Sequence, residues 1–224
     1  MCGIAGFYNI NGGYSSESPH WISILNDMNR TQFHRGPDGN GTYLCDCCGL
    51  AHVRLAIIDL VNGSQPLVKS HGGLKYAISY NGEIYNTKEL RSALKAEGAT
   101  FDTASDTEVI LEGYMRHGSD FIKCLNGIFA AAILDENHNR LILFRDRLGV
   151  KPLFYTHYEN TLVFASEIKG IFAYPGIPHI IDRDGLCEVF ALGPARTHGG
   201  GVFKNIFEVM PGQCIIFENE RCDK

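Results

Sequence analysis

The second residue of the chain, Cys2, combines a nucleophile and a base if its α-amine is free. It follows Met1, and because Cys is small, removal of the initiator methionine would expose that amine. An α-amine titrates at about 7.7 to 8.0, close enough to neutral pH to accept a thiol proton. A terminal amine that activates its own side chain is a known route to a nucleophile. Taken alone, a Cys at this position is more simply explained as a small apolar residue that begins a strand. Other residues must therefore decide whether Cys2 is a nucleophile.

A thiolate that attacks an amide or ester builds a tetrahedral oxyanion, which needs hydrogen-bond donors already in place. Asn81 and Gly82 offer a side-chain amide and a backbone N–H. The same Asn-Gly pair between strand-like residues is the strongest short-range signal for a β-hairpin. Residue patterns alone favour the hairpin, and both interpretations stay open at this point.

Three charged residues are candidates for binding charged groups of a substrate. Arg54 interrupts an apolar run at residues 51–60, where a guanidinium can bind a carboxylate through two N–H groups. The more common alternative is an edge-strand arginine that faces water. Glu83 and Asp106 are candidates for pairing with an ammonium group. For Asp106 there is a common alternative, because an acidic residue at the start of a helix also interacts favourably with the helix dipole.

The eight cysteines are predicted to be reduced thiols, because disulfide-rich scaffolds are usually short secreted chains with a signal peptide. Cys45, Cys47 and Cys48 form a C-x-C-C cluster with the ligand types of a metal site. No second Cys or His pair stands at the spacing that would complete four ligands. The prediction is therefore three thiols along a strand pair and no metal.

Composition limits the classes of partner. With 224 residues, 45% hydrophobic and 20% charged, the chain has ordinary globular usage. A formal net charge of -5 provides no positive field for a phosphate backbone, so nucleic acid is not expected as a partner. No apolar run approaches the ~20 residues that cross a bilayer. The sequence predicts a cytoplasmic protein without a membrane partner.

Strand-like segments cluster on both sides of a helical middle, which predicts an α+β fold rather than repeated βαβ units. Capping-box patterns predict helices that begin after Asn86 and Ser105 and end at Gly98 and Gly118. The other predicted helices are 19–33, 167–172 and 183–191. Predicted strands are 2–9, 42–44, 49–59 and 74–80, then an antiparallel meander of 128–134, 140–145, 153–157 and 161–165, and a final β pair within 202–217. We predict one domain at 1–217, followed by a tail or the start of a linker at 218–224.

Eight ordered motifs resemble the class II, or N-terminal nucleophile, glutamine amidotransferases, most closely the glutaminase domain of glutamine-hydrolysing asparagine synthetase. Their residues are 1–6 (MCGIAG), 34–39 (HRGPDG), 54–60 (RLAIIDL), 81–86 (NGEIYN), 105–108 (SDTE), 125–130 (LNGIFA), 145–155 (RDRLGVKPLFY) and 164–169 (FASEIK). The resemblance implies a four-layer αββα sandwich of two antiparallel sheets and the hydrolysis of L-glutamine to glutamate and ammonia.

The resemblance also implies a role for each matching site residue. Cys2 matches the nucleophile that forms a thioester, its α-amine the base, and Asn81 with the Gly82 N–H the oxyanion hole. The implied substrate-binding residues are Arg54 at the α-carboxylate, Glu83 and Asp106 near the α-ammonium, and Ile57.

In the full synthetase, as the resemblance implies, ammonia passes to a domain that activates aspartate with ATP and Mg²⁺ and carries a Ser-Gly-Gly-x-Asp-Ser phosphate loop. This sequence contains no such loop. We therefore expect no cofactor in this chain, a synthetase domain or subunit as the partner that receives ammonia, and assembly as a homodimer. Two alternatives stay open: a catalytically silent docking domain, or the glutaminase of another class II enzyme such as amidophosphoribosyltransferase.

Overall fold

The structure is a computed structural model that describes residues 1–56, 63–192, 197, 199–218 and 221–223. Its helices are α1 (Ser18–Thr31), α2 (Thr87–Ala96), α3 (Asp106–His117), α4 (Ile168–Phe172) and α5 (Arg183–Cys187), with a π-helical turn at Glu188–Leu192 and 3₁₀ turns at Ser15–Glu17, Phe33–Arg35 and Gly118–Cys124. Its strands are β1 (Gly3–Tyr8), β2 (Gly39–Leu44), β3 (Cys48–Arg54), β4 (Leu67–His71), β5 (Leu74–Ile84), β6 (Gly127–Asp135), β7 (Arg140–Arg145), β8 (Phe154–Tyr158), β9 (Thr161–Ala165), β10 (Ile206–Glu208), β11 (Cys214–Glu218) and β12 (Arg221–Asp223).

The described strands form two antiparallel sheets that pack face to face. The first sheet has the order β10-β8-β9-β1-β3-β2, and the second has the order β12-β11-β7-β6-β5-β4. Between them lies an apolar layer in which Ile4, Leu50 and Phe164 of the first sheet meet Ala130 and Ala132 of the second. Alternate side chains of a strand face opposite sides, so each sheet also has an outer apolar face that needs cover.

Helices cover those two outer faces. Leu25 and Met28 of α1 and Ile171 of α4 pack against the first sheet. Leu94 of α2 and Ile110 of α3 pack against the second. The order of layers is helix, sheet, sheet, helix, which confirms the predicted α+β fold and the αββα sandwich.

The predicted hairpin at Asn81 and Gly82 is wrong, because β5 runs through both residues without a turn. Nine consecutive positions of β5, up to Ile84, pair with β6 in one antiparallel register. This long pairing overrides the local turn preference of the Asn-Gly pair. The chain turns instead between β4 and β5, at two glycines with positive φ, Gly72 and Gly73.

Two further predictions about the sheets are wrong. The four strands β6 to β9 do not form one meander, since β6 and β7 pair in the second sheet while β8 and β9 pair in the first. The two strands within 202–217 do not pair with each other either: β10 lies in the first sheet and β11 in the second. Strand β4 was not predicted. Within the segment predicted to be a tail or the start of a linker, β12 pairs with the end of β11.

Among the described residues, no helix has the length and apolar character needed to cross a membrane.

A buried histidine connects the two sheets close to the predicted site. His52 of β3 is fully buried, and its Nε2 lies 3.1 Å from the Tyr80 carbonyl oxygen of β5. A carbonyl only accepts, so Nε2 carries the hydrogen, and Nδ1 has no partner among the described residues. Burial lowers the pKa of His52 to about 4, with the Tyr80 hydrogen bond acting against it and the charge of Arg54 adding to it.

We expect His52 to make the fold acid-sensitive. Unfolded chains protonate histidine near pH 6.5, and the folded protein resists protonation down to about pH 4. The contribution of His52 to the free energy of unfolding is therefore present above pH 6.5 and is lost as the pH falls from 6.5 toward 4. It amounts to about 3 kcal/mol. Urea unfolding at about pH 7 and about pH 4.5 should show a smaller loss of stability in His52→Gln than in the unmodified protein. Equal losses in the two proteins would contradict this expectation.

Candidate active site

The thiol of Cys2 lies at the start of β1, in the layer between the sheets. The Leu55 N–H, just beyond the end of β3, donates to Cys2 Sγ at 3.3 Å. The side chain is partly exposed, and its sulfur forms no disulfide. The pairing of Gly3 with Val53 fixes this end of β1 against β3. The thiol is therefore both oriented and accessible.

Two motifs that had no role assigned from the sequence, HRGPDG and FASEIK, hold the chain at Cys2. Arg35 Nε donates to the Cys2 carbonyl at 2.9 Å, and Arg35 Nη1 contacts Glu167 at 2.8 Å. Burial acts to raise the pKa of Glu167, but hydrogen bonds from Arg35, Lys169 and His34 prevail and lower it to about 2. Its carboxylate is thus ionised at neutral pH and fixes the buried guanidinium that positions the Cys2 backbone.

The HRGPDG motif also fixes the end of β3, which carries Arg54. The Asp38 N–H donates to the Arg54 carbonyl at 3.0 Å, and Asp38 Oδ2 accepts from the Ala56 N–H at 2.9 Å. Gly36 lies so close to the backbone of β3 that a Cβ on it would stand 2.5 Å from the backbone nitrogen of Arg54, so only glycine fits. Arg54 is not on an edge strand, because β3 lies between β1 and β2, and the edge-strand alternative is wrong.

Asn81 faces the layer between the sheets and has an unused donor. Its side chain is 2% exposed, and Nδ2 is buried with no hydrogen-bond partner among the described residues. A buried polar group without a partner costs on the order of 1 to 3 kcal/mol, so native structures rarely keep one without a use.

The Gly82 N–H is a second donor next to Asn81. In the pairing of β5 with β6, every second residue directs its backbone groups away from β6. On that side the Tyr80 N–H donates to Gln65 Oε1 at 2.7 Å and the Ile84 N–H donates to Asp106 Oδ2 at 3.2 Å. Gly82 stands between them, so by the same alternation its N–H points away from β6. A Cβ on Gly82 would meet a carbonyl oxygen of β6 at 2.3 Å, which requires glycine.

Asp106 is the first residue of α3 and is buried beside β5. Its carboxylate accepts hydrogen bonds from the Tyr80 hydroxyl at 2.8 Å, from the Ile84 N–H, and from the Thr107 N–H at 2.9 Å. Burial raises the pKa of Asp106, and these hydrogen bonds act against that rise. Helix α3 itself begins as predicted, since the Ser105 hydroxyl accepts from the Glu108 N–H.

One open cavity brings together six of the seven predicted site residues: Cys2, Arg54, Asn81, Gly82, Glu83 and Asp106. The seventh, Ile57, lies outside the described residues. The wall carries one guanidinium, two carboxyl groups and the unpartnered Asn81 amide next to a thiol. This set complements a zwitterionic amino acid whose side chain ends in a carbonyl group.

Sequence reasoning missed three residues that build this cavity. Gln65 spans from β5 to Thr107 of α3, Lys151 lines the wall, and Asp146 accepts the Lys151 N–H at 3.1 Å within a tight turn. Asp146 and Lys151 belong to the RDRLGVKPLFY motif, which supports the family resemblance but to which the sequence assigns no function. Gln65 stands in no quoted motif, and only the packing of β5 against α3 reveals it.

The family profile described as glutamine amidotransferase domain matches residues 1–224. The chain belongs to this family, and the predicted resemblance is confirmed. Its relatives include asparagine synthetase [glutamine-hydrolyzing] 3 of Bacillus subtilis (strain 168), with 43% identity over 220 residues that cover 98% of this chain and 35% of the relative. A putative asparagine synthetase [glutamine-hydrolyzing] 2 of Methanocaldococcus jannaschii is 36% identical over 240 residues, covering 99% and 45%. The chain therefore spans less than half the length of these two relatives.

A solved structure supports the fold independently. Glutamine phosphoribosylpyrophosphate amidotransferase from B. subtilis, complexed with ADP and GMP, superposes with a TM-score of 0.70 over 99% of this chain and 48% of that one. The sequence identity is 21%, so this likeness concerns the fold. The fold is that of the N-terminal nucleophile amidotransferases.

Proposed function

We propose that this domain hydrolyses L-glutamine to glutamate and ammonia through a thioester on Cys2. The observation that carries the proposal is the buried, unpartnered Asn81 Nδ2 in the wall of the cavity that Cys2 also lines. A donor held in place without an acceptor suits an oxyanion that exists only during the reaction. The Gly82 N–H, which points away from β6, supplies a second donor.

The proposed reaction begins once Met1 has been removed and the Cys2 α-amine is free. The thiol proton moves to that amine, and the thiolate attacks the carboxamide carbon of glutamine. Asn81 Nδ2 and the Gly82 N–H hold the oxyanion. The protonated amine returns its proton to the departing nitrogen, which leaves as ammonia. The amine then takes a proton from a water molecule as the water oxygen attacks the thioester carbon. The C–S bond breaks, glutamate is released, and the amine returns the proton to the Cys2 sulfur.

Substrate charge complements the charge of the cavity wall in this proposal. The Arg54 guanidinium binds the glutamine α-carboxylate, since its planar set of donors matches two carboxylate oxygens. Glu83 is exposed at the wall and Asp106 is buried behind it, and both lie near the α-ammonium. The predicted substrate-binding role of Ile57 is kept in the proposal.

The ammonia acceptor is proposed from the relatives, which are asparagine synthetases by name. We propose that a synthetase domain or subunit transfers the ammonia to aspartate, and that ATP and Mg²⁺ act there. This chain would need no cofactor of its own. A cytoplasmic location, a homodimer, and the lack of nucleic-acid or membrane partners stay predictions.

A glutamine-like diazoketone tests the proposal, because it alkylates a thiolate that is held beside a bound amino-acid analogue. We expect the intact mass of Met1-free protein to increase by one adduct, and peptide mapping to locate it on Cys2. Glutamine in excess should protect the thiol, and Cys2→Ala should gain nothing. Cys124, which is exposed and does not line the cavity, should stay unmodified.

Two outcomes would argue against a glutaminase. Met1-free protein that gains no adduct would favour a silent docking domain. Adducts on Cys124 that equal those on Cys2, without protection by glutamine, would show thiol reactivity that no substrate site directs.

A further inference from the structure

A pair of thiols lies in the turn between β2 and β3, at the far end of the first sheet from Cys2. Asp46 and Cys47 form a two-residue turn, closed by the Cys45 N–H, which donates to the Cys48 carbonyl at 2.9 Å. Cys45 Sγ and Cys47 Sγ are 3.6 Å apart and hydrogen-bonded to each other. Two of the three thiols predicted along the strand pair thus lie in the turn, and Cys48 is the first residue of β3.

We propose that Cys45 and Cys47 are a dithiol site that low-molecular-weight disulfides oxidise to a reversible Cys45–Cys47 disulfide. In the first step, the Cys45 thiolate attacks one sulfur of the oxidant and expels one thiolate, which leaves a mixed disulfide. In the second step, the Cys47 thiolate attacks Cys45 Sγ and expels the other. Two electrons pass to the oxidant, which leaves as two thiols after taking up the two protons of the cysteines.

Geometry favours this pair over any intermolecular partner. An S–S bond is ~2.05 Å long, so the two sulfurs must approach by about 1.5 Å. They stand in one tight turn, and closing the bond orders almost no further chain. A reaction between groups already held together avoids the entropy cost of a bimolecular encounter.

Access favours the same two thiols. Cys45 and Cys47 are partly exposed and line a shallow open cavity with Glu136 and Asn139. Cys48 is fully buried, and burial raises the pKa of its thiol. An oxidant from solvent therefore reaches Cys45 and Cys47 and not Cys48.

Electrostatics assigns the order of the two steps. The hydrogen bond from Cys47 lowers the pKa of Cys45, with burial acting against it, so Cys45 is the first thiolate to attack. The same bond is the largest cause that raises the pKa of Cys47, followed by burial. Once Cys45 has formed the mixed disulfide, its sulfur carries no negative charge, and that cause of the raised pKa is removed.

The site is remote from the proposed chemistry at Cys2. Strand β1 pairs with β3 from Gly3 opposite Val53 to Tyr8 opposite Cys48. Five steps along a strand span roughly 17 Å. We therefore expect oxidation of the turn to leave the cavity that Cys2 lines unchanged, which makes the two proposals separately testable.

The test uses the full chain, glutathione disulfide as the oxidant, and alkylation of the remaining thiols before mass spectrometry. We expect the peptide of residues 36–54 to lose two hydrogens and to take up the alkylating reagent only at Cys48. Dithiothreitol should reverse the change. Cys47→Ser should instead keep one glutathione on Cys45, and Cys48→Ala should form the disulfide like the unmodified chain.

Three results would overturn the proposal. One is a turn peptide that stays fully reduced while exposed Cys124 becomes glutathionylated. Another is a stable glutathione adduct on Cys45 in the unmodified chain, because Cys47 should expel it. The third is loss of the disulfide in Cys48→Ala, which would assign the bond to Cys48.

Discussion

Replacing Cys2 with alanine is expected to abolish glutamine hydrolysis while the protein stays folded. In the proposed reaction, Cys2 Sγ forms the only covalent bond to substrate, so no other group can replace it. In other acyl-transfer enzymes, loss of the nucleophile costs on the order of 10⁶ in kcat. The side chain is partly exposed and precedes β1, so its removal opens no core cavity. Glutamate release by Met1-free protein, measured against a blank without enzyme, checks the loss.

Cys124→Ala is the matched control for that substitution. Cys124 is exposed at the end of the 3₁₀ turn Gly118–Cys124 and does not line the cavity. Its replacement should leave turnover unchanged, while both variants keep the far-UV circular dichroism of the parent. If Cys2→Ala retained a tenth of the parent turnover, a different residue would have to be the nucleophile and the thioester proposal would fail.

The residue types of the site could be predicted from sequence because each follows from the chemistry of amide cleavage. A thiol with an adjacent amine, an amide donor, a guanidinium and two carboxylates are what the reaction and its substrate require. Their convergence could not be predicted from local patterns. The Asn81-Gly82 pair favours a turn locally, and only the pairing of β5 with β6, some 45 residues later, extends the strand through it.

The residues that hold the site were beyond sequence reasoning for a related reason. Arg35 and Glu167 are separated by 132 residues, and each is an ordinary charged residue in its own segment. They meet because β9 lies beside β1 in the first sheet and Glu167 stands two residues beyond the end of β9. The same limit explains why the predicted meander is wrong. The sequence spacing of β6 to β9 is compatible with one sheet or with two, and only the buried layer between the sheets distinguishes the two arrangements.

Asn81→Ala is expected to lower kcat by ~10² to 10³, or ~3 to 4 kcal/mol of transition-state stabilisation, with little change in KM. The reason is that Nδ2 would find its acceptor only in the tetrahedral intermediate. The same argument predicts no loss of stability, because this donor makes no hydrogen bond to a described residue in the free protein and its removal relieves the cost of burying it unpartnered. Steady-state kinetics and urea unfolding of one preparation measure both quantities.

Ser79→Ala is the control that separates catalysis from damage to β5. Ser79 lies on the same inward face of that strand, does not line the cavity, and donates to the Ala51 carbonyl of the first sheet at 3.0 Å. Its replacement should cost about 1 kcal/mol of stability and leave kcat unchanged. The two variants thus have opposite expected effects on stability and turnover. An Asn81→Ala variant that lost stability like Ser79→Ala, or whose kcat and KM suffered equally, would assign Asn81 to packing or substrate binding rather than to the oxyanion.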